Sequence, residues 1–226
     1  MELRRHELLR LTAVGWRRAM AEGDPEAHQC FAHWAANDLP LVVATQTAAG
    51  NASIVSLGLP SPTAWRRKRF ALRVPLSDVN PGLQAFPLLV ECESALRHVS
   101  PRFVDLRISL SRLSPGTRVY GSFGWQHLTG LSYVREHSDL DLLLPVADAE
   151  RADKVVAVLA RWDVETWRLD GELCFNDGSA VAWCEWAAWR AGRVSTILVK
   201  RLRGASLETD TGWHATAMPA VVVAAA

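Results

Sequence analysis

The stretch GSFGWQHLTGLSYVREHSDLDLLL, Gly121 to Leu144, opens on a Gly-Ser pair and nearly closes on two aspartates one residue apart. Those aspartates interrupt an otherwise apolar run. Side chains of a strand alternate faces with a period of two. A strand through Leu144 therefore sends Leu140, Leu142 and Leu144 to one side, and Asp139, Asp141 and Leu143 to the other. The two carboxylates then share a face, about 6.6 Å apart along the backbone. Like charges that close repel unless a cation lies between them. Mg²⁺ prefers oxygen ligands and keeps waters and substrate phosphates in its shell, so Asp139 and Asp141 read as its ligands, a half-site for one or two such ions. Taken alone, D-x-D on a strand edge is also a common solvated face.

The Gly-Ser pair supplies the other half. RVYGS (118–122) reads as a short strand running into a turn, and FGWQHLTG as the start of a helix. Backbone N–H groups and a hydroxyl at a helix N-terminus form an anion site, so Gly121 and Ser122 are candidates for holding phosphate. Gly124 allows close backbone approach. A strand, a phosphate turn, a helix and a D-x-D strand in that order describe a two-metal phosphoryl-transfer site.

Working outward, residues 13–36 read as two short helices, with Thr12 capping the first and Gly23-Asp24-Pro25 separating them. Strands are expected at 39–47, 52–60 and 69–76, with a turn at 48–51 between the first two. A proline-punctuated segment follows, then helical patterns near 88–97 and 101–112. Beyond the opening stretch, 149–162 has Val155, Val156, Leu159 and Trp162 at helical spacing. ETWRLDGELCF (165–175) and AVAWCEWAAW (180–189) read as two strands of a hairpin joined by Asn-Asp-Gly-Ser, and 194–202 as a last strand. The expected class is α+β, with a smaller N-terminal α+β domain at 1–85 and a catalytic domain at 86–226 containing a mixed sheet and flanking helices.

The 226 residues are 49% apolar and 22% charged, an ordinary globular composition, and a net charge of +1 provides no global field toward nucleic acid or membrane. Partners of those two kinds are not expected. The four cysteines, Cys30, Cys92, Cys174 and Cys184, form no C-x-x-C pair and read as reduced cytoplasmic thiols, although Cys174 and Cys184 could meet across the expected hairpin. The N-terminus has no apolar signal region, and the apolar end, MPAVVVAAA, is too short for a membrane span.

The pattern of an apolar residue, Gly121-Ser122 and then Asp139-x-Asp141 resembles the nucleotidyltransferase superfamily, the polymerase-β-like fold. The sixteen residues between Ser122 and Asp139 exceed the gap in compact members of that superfamily. With that filler, the segment is similar to the active-site segment of the malonate decarboxylase holo-acyl-carrier-protein synthases, or phosphoribosyl-dephospho-CoA transferases. The start Arg5-His6-x-Leu8-Leu9, LPLVVATQ, SLGLPSPTAWRRKRFAL, RLDGELCFNDGSAVAWCEW and ILVK resemble that family too, with Glu7 standing where Asp is expected.

The resemblance implies a donor, 2′-(5″-triphosphoribosyl)-3′-dephospho-CoA, and an acceptor serine on the acyl-carrier subunit of malonate decarboxylase. The two would be joined by a phosphodiester, with release of diphosphate. Gly121 and Ser122 would hold the outer phosphates, and Asp139 and Asp141 would hold Mg²⁺. The superfamily commonly adds a third carboxylate from a neighbouring strand. Asp170, Glu172 and Glu185 are candidates, with Asp170 favoured. The dense basic cluster Trp65-Arg66-Arg67-Lys68-Arg69, above all Arg67 and Lys68, would meet donor phosphates or an acidic carrier surface, unless it is a solvated loop. Lys200 could reach a phosphate. Trp183, Trp186 and Trp189 could line an adenine pocket, and His127 or His137 could serve as a base. Two competing readings remain: another Mg²⁺-dependent nucleotidyltransferase that adenylylates a small molecule or a protein, and a non-catalytic binding protein with a degenerate fold of this kind.

Overall fold

Leu140, Leu142 and Leu144 are each fully buried in the computed structural model, which describes residues 2–46, 53–97, 103–162 and 168–209. Burial on that scale contributes roughly 1.5–3 kcal/mol per side chain. In chain order the elements begin with β1 (Leu8–Leu9), α1 (Ala13–Glu22), α2 (His28–Ala36), β2 (Leu41–Val43), β3 (Ile54–Pro60) and β4 (Arg69–Pro75). They continue with α3 (Glu93–Arg97), α4 (Phe103–Leu113), β5 (Arg118–Val119), α5 (Gly121–Thr129), β6 (Leu140–Val146) and α6 (Ala149–Leu159). The last are β7 (Leu169–Phe175), β8 (Ala180–Ala182), α7 (Trp183–Arg190), β9 (Ile197–Arg201) and β10 (Gly204–Glu208). The turn expected at 48–51 and the apolar tail at 218–226 lie outside the described residues.

The strands make two sheets, and the class is α+β. The first is antiparallel, in the order β1-β2-β3-β4, with α1 and α2 beside it. Thr12 Oγ1 accepts from Gly15 N–H at 3.0 Å, as its position before the helical run predicts, and Asp24 caps the 3₁₀ turn that leads into α2. The second sheet is mixed, in the order β10-β9-β8-β7-β6-β5. Its parallel pair is β6–β7, and α6 makes the crossover between them, as a parallel connection requires. Asp148 caps α6 by accepting from Arg151 N–H at 2.8 Å.

The mixed sheet has two different faces. Leu140, Leu142 and Leu144 pack with Leu106 and Leu110 of α4, Val155 and Leu159 of α6 and Trp186 of α7. The opposite face carries Asp141, Leu143, Asp170, Glu172 and Cys174, and Leu143 and Cys174 pack into the core of the antiparallel sheet. On this face Arg5 and His6 of the N-terminal residues cover Glu172.

One expected element is wrong. AVAWCEWAAW was read as a strand of a hairpin. The turn after Phe175 does fold β8 back on β7, but β8 ends at Ala182 and Trp183–Arg190 is the helix α7. Trp183, Trp186 and Trp189 recur every three residues, a helical spacing, and all pack on the hydrophobic core. Trp186 is fully buried and donates from Nε1 to Asp153 at 2.8 Å. These rings pack on the core, and none of them lines the cavity described below. Cys174 and Cys184 are both free thiols, because Cys184 sits exposed on α7 rather than across a hairpin.

Candidate active site

Antiparallel pairing of β5 with β6 places Val119 opposite Leu142, and Tyr120 N–H donates to the Asp141 carbonyl at 3.0 Å. The chain then turns at once into α5. Its first residue, Gly121, has φ 57°, and a Cβ there would collide with the Asp141 carboxylate. Only glycine meets both demands. Ser122 N–H donates to that carboxylate. The anion facing the N-terminus of α5 is thus a side chain of the neighbouring strand. Gly124 has a separate task. It is buried against the Val119 carbonyl and Phe86, where a Cβ would force α5 off the strand, and it does not line the cavity described below.

The parallel register sets Asp170 of β7 beside Asp141 of β6. Asp139 lies two residues before Asp141 and is half-buried. Burial, then the charge of Asp170, then that of Asp139 push the Asp141 carboxyl up to about 7, against the Ser122 hydrogen bond and Arg168. Asp139 is held by Arg168 Nη2 at 2.7 Å. The Arg168 side chain is 78% exposed, so this ion pair is weak and readily exchanged. Among the described residues no group of three or more His, Cys, Asp or Glu side chains is placed to hold a metal ion. The donor set still fits Mg²⁺, which is commonly held by one or two carboxylates with waters and phosphates completing the shell. A carboxylate raised by burial and by like-charged neighbours is what a cation would relieve.

A cavity of about 1070 Å³ opens beside these groups, between the two sheets. Asp139, Asp141, Gly121 and Ser122 line one side, and Gly58, Pro60, Arg69 and Phe70 of the N-terminal sheet, with Arg67 from the turn before β4, line the other. The sixteen-residue filler closes it. Gln126 Oε1 of α5 accepts from Tyr133 and Val134 N–H at 3.1 and 3.0 Å, Tyr133 stacks on Trp125, and its hydroxyl donates to the Pro60 carbonyl at 2.7 Å. The filler is a helix and a wall that joins both halves.

The remaining site residues separate. Arg67 lines the cavity with φ 56°, and its Nη1 is buried without a hydrogen-bond partner among the described residues, a donor suited to an anion. Lys68 turns away and pairs with Glu26. His137 lines the cavity, while His127 is exposed on α5. Glu185, on α7, accepts weakly from Leu198 N–H at 3.4 Å.

Glu172 belongs to a cluster that sequence reasoning did not find. Its carboxylate accepts from Arg5 Nη2 at 2.9 and 3.1 Å, from Lys200 Nζ at 2.8 Å and from His6 Nε2 at 2.9 Å. Burial opposes its charge, yet His6, Arg5 and Lys200 hold it down to about 2. Lys200 is thereby taken up by Glu172 and does not line the cavity. Arg5 and His6 lie more than 160 residues from Glu172, so no local pattern announces the contact. Tyr120, whose ring centroid is 5.0 Å from that of His6, has its phenol pushed up by burial and by the charges of Glu172, Asp141 and Asp170.

Carboxylates and an unpartnered arginine donor on facing walls of one cavity suit an enzyme that handles a phosphorylated donor together with a cation. Comparison with known proteins gives the particular kind. Residues 4–83 match the family model for the N-terminal domain of the phosphoribosyl-dephospho-CoA transferase MdcG, and residues 88–211 match the model for its C-terminal domain. A phosphoribosyl-dephospho-CoA transferase of Xanthomonas campestris pv. campestris (strain 8004) is 35% identical over 86% of this chain and 92% of its own length. One from Bradyrhizobium diazoefficiens is 36% identical over 88% of this chain and 86% of its own. No solved structure matches. The chain belongs to the phosphoribosyl-dephospho-CoA transferase family and is a transferase enzyme.

Proposed function

We propose that the protein transfers the 2′-(5″-triphosphoribosyl)-3′-dephospho-CoA group to a serine of the acyl-carrier subunit of malonate decarboxylase, forming a phosphodiester and releasing diphosphate. The observation that carries this reading is the Asp141 carboxylate, raised by burial and then by Asp170 and Asp139, and set against the N-terminus of α5 at the cavity wall. Asp139 and Asp141 would hold Mg²⁺, with Asp170 as the third carboxylate. An ion held there would supply positive charge against the leaving diphosphate and the attacking hydroxyl. Gly121 and Ser122 line the cavity where the outer phosphates lie, and the unpartnered Arg67 donor adds positive charge from the opposite wall.

Family membership favours this activity over adenylylation of a small molecule or another protein. The β5-α5-β6 arrangement, with Gly-Ser at the helix start and D-x-D on the next strand, supports a nucleotidyltransferase fold for residues 86–226. Two sheets with two core clusters support an N-terminal domain at 1–85. Free thiols support a cytoplasmic location. Among the described residues no helix is long and apolar enough to cross a membrane.

The decisive experiment incubates the protein with Mg²⁺, the triphosphoribosyl donor and apo carrier, and weighs the carrier. A gain of one prosthetic group with stoichiometric diphosphate supports the proposal. Diphosphate from ATP, without any gain on the carrier, supports adenylylation instead.

A further inference from the structure

We propose that His6 is the general base for the acceptor hydroxyl, fixed in the required tautomer by Glu172. The inference rests on the transfer reading above. His6 lines the same cavity as Asp141 and Ser122. Its φ of 63° is left-handed, uncommon for a residue with a Cβ, and such backbone persists where the surroundings enforce it, often at functional sites.

The hydrogen bonds assign the ring. The Glu172 side chain is 6% exposed and, as a carboxylate, only accepts, so the contact at 2.9 Å requires a proton on His6 Nε2. Arg5 Nη2 lies 3.2 Å from that nitrogen, donor facing donor, and its hydrogen bonds go to Glu172. Nδ1 is then the nitrogen with the lone pair, and among the described residues it has no hydrogen-bond partner. A carboxylate that orients one ring nitrogen while the other takes a proton is the logic of histidine bases in nucleophilic catalysis. The charged and titratable groups around the ring are Arg5, Glu172, Lys200 and Tyr120, with Asp141 on the same cavity.

In the step, the serine O–H proton passes to Nδ1 as Oγ bonds to the phosphorus nearest the donor's ribose. The P–O bond to the outer two phosphates breaks and its electron pair leaves on diphosphate. The imidazolium afterwards returns the proton to water.

His6→Gln tests this, because its amide can still donate to Glu172 from near the Nε2 position but offers no basic nitrogen. In the full chain, with Mg²⁺, the triphosphoribosyl donor and apo carrier, kcat should fall about 10²- to 10⁴-fold, the scale of a lost general base. Donor affinity and melting temperature should hold, and added imidazole should restore part of the activity of His6→Ala. A wild-type kcat in His6→Gln overturns the inference and leaves the transfer reading standing. So does a parallel loss of donor affinity and thermal stability without imidazole rescue, the outcome for a merely structural clamp. No transfer by the wild-type protein overturns both.

Discussion

Two carboxylates on one face of the mixed sheet, Glu172 of β7 and Asp141 of β6, meet opposite fates. Glu172 is surrounded by Arg5, His6 and Lys200 and held down to about 2. Asp170, two residues earlier on the same face, stands beside Asp141, whose carboxyl is pushed up to about 7. Burial opposes charge at both Glu172 and Asp141, so burial does not separate them. The difference is whether the fold itself supplies the cations. At Glu172 the chain neutralises its own charge and fastens the N-terminal residues to the mixed sheet. At Asp141 it leaves like charges together, which is how a site for an external cation differs from a structural ion cluster.

The comparison breaks first at Asp141. Asp141→Asn should lower carrier loading by at least about 10²- to 10³-fold, the scale for losing one electrostatic contact at a reacting centre. Its melting temperature at pH 7.5 without metal should equal or exceed that of the wild type, because a repelled charge is removed while an acceptor for Ser122 N–H remains. Equal activity would end the cation-site reading.

Glu172→Ala should do the reverse to stability. It leaves Arg5 and Lys200 without their buried partner, a change that costs about 3–5 kcal/mol, measurable by urea unfolding.

The two carboxylates should also respond to pH with opposite signs. For Glu172 the folded value of about 2 lies below the ordinary glutamate value of 4.5. Its contribution, on the order of a few kcal/mol, is complete above 4.5 and lost as pH falls through about 2. For Asp141 the folded value of about 7 lies above 3.8, so the fold binds the extra proton and stability falls as pH rises from 3.8 through 7. Mg²⁺ should therefore raise the melting temperature more at pH 8 than at pH 5.5, and Asp141→Asn should abolish that pH-dependent difference. The smallest effect belongs to Arg168→Ala. Melting should stay constant while Mg²⁺ binds modestly tighter, since an exposed competitor for Asp139 is gone.

Much of this site was legible in the chain. The alternation in Asp139–Leu144 predicted both faces of β6, and Gly121-Ser122 marked the start of α5. Thr12 announced its cap because capping is decided within three residues. AVAWCEWAAW misled because an apolar run shorter than about a dozen residues does not declare its period, and the turn before it favoured a hairpin. The three-residue spacing of Trp183, Trp186 and Trp189 was the available signal. The Arg5–His6–Glu172–Lys200 cluster left no such trace, since its members come from the two ends of the chain.

By itself the sequence determined which residues can carry chemistry and which face of a strand or helix they occupy, because periodicity, capping and turn preference are local. Only the tertiary structure decided which charges would be neighbours. The parallel register of β6 with β7 put Asp170 beside Asp141, and the covering N-terminal residues gave Glu172 its cations. Coulomb energy depends on distance through space rather than along the chain, so carboxylates on one strand pair became a candidate cation site at one end and an ion cluster at the other.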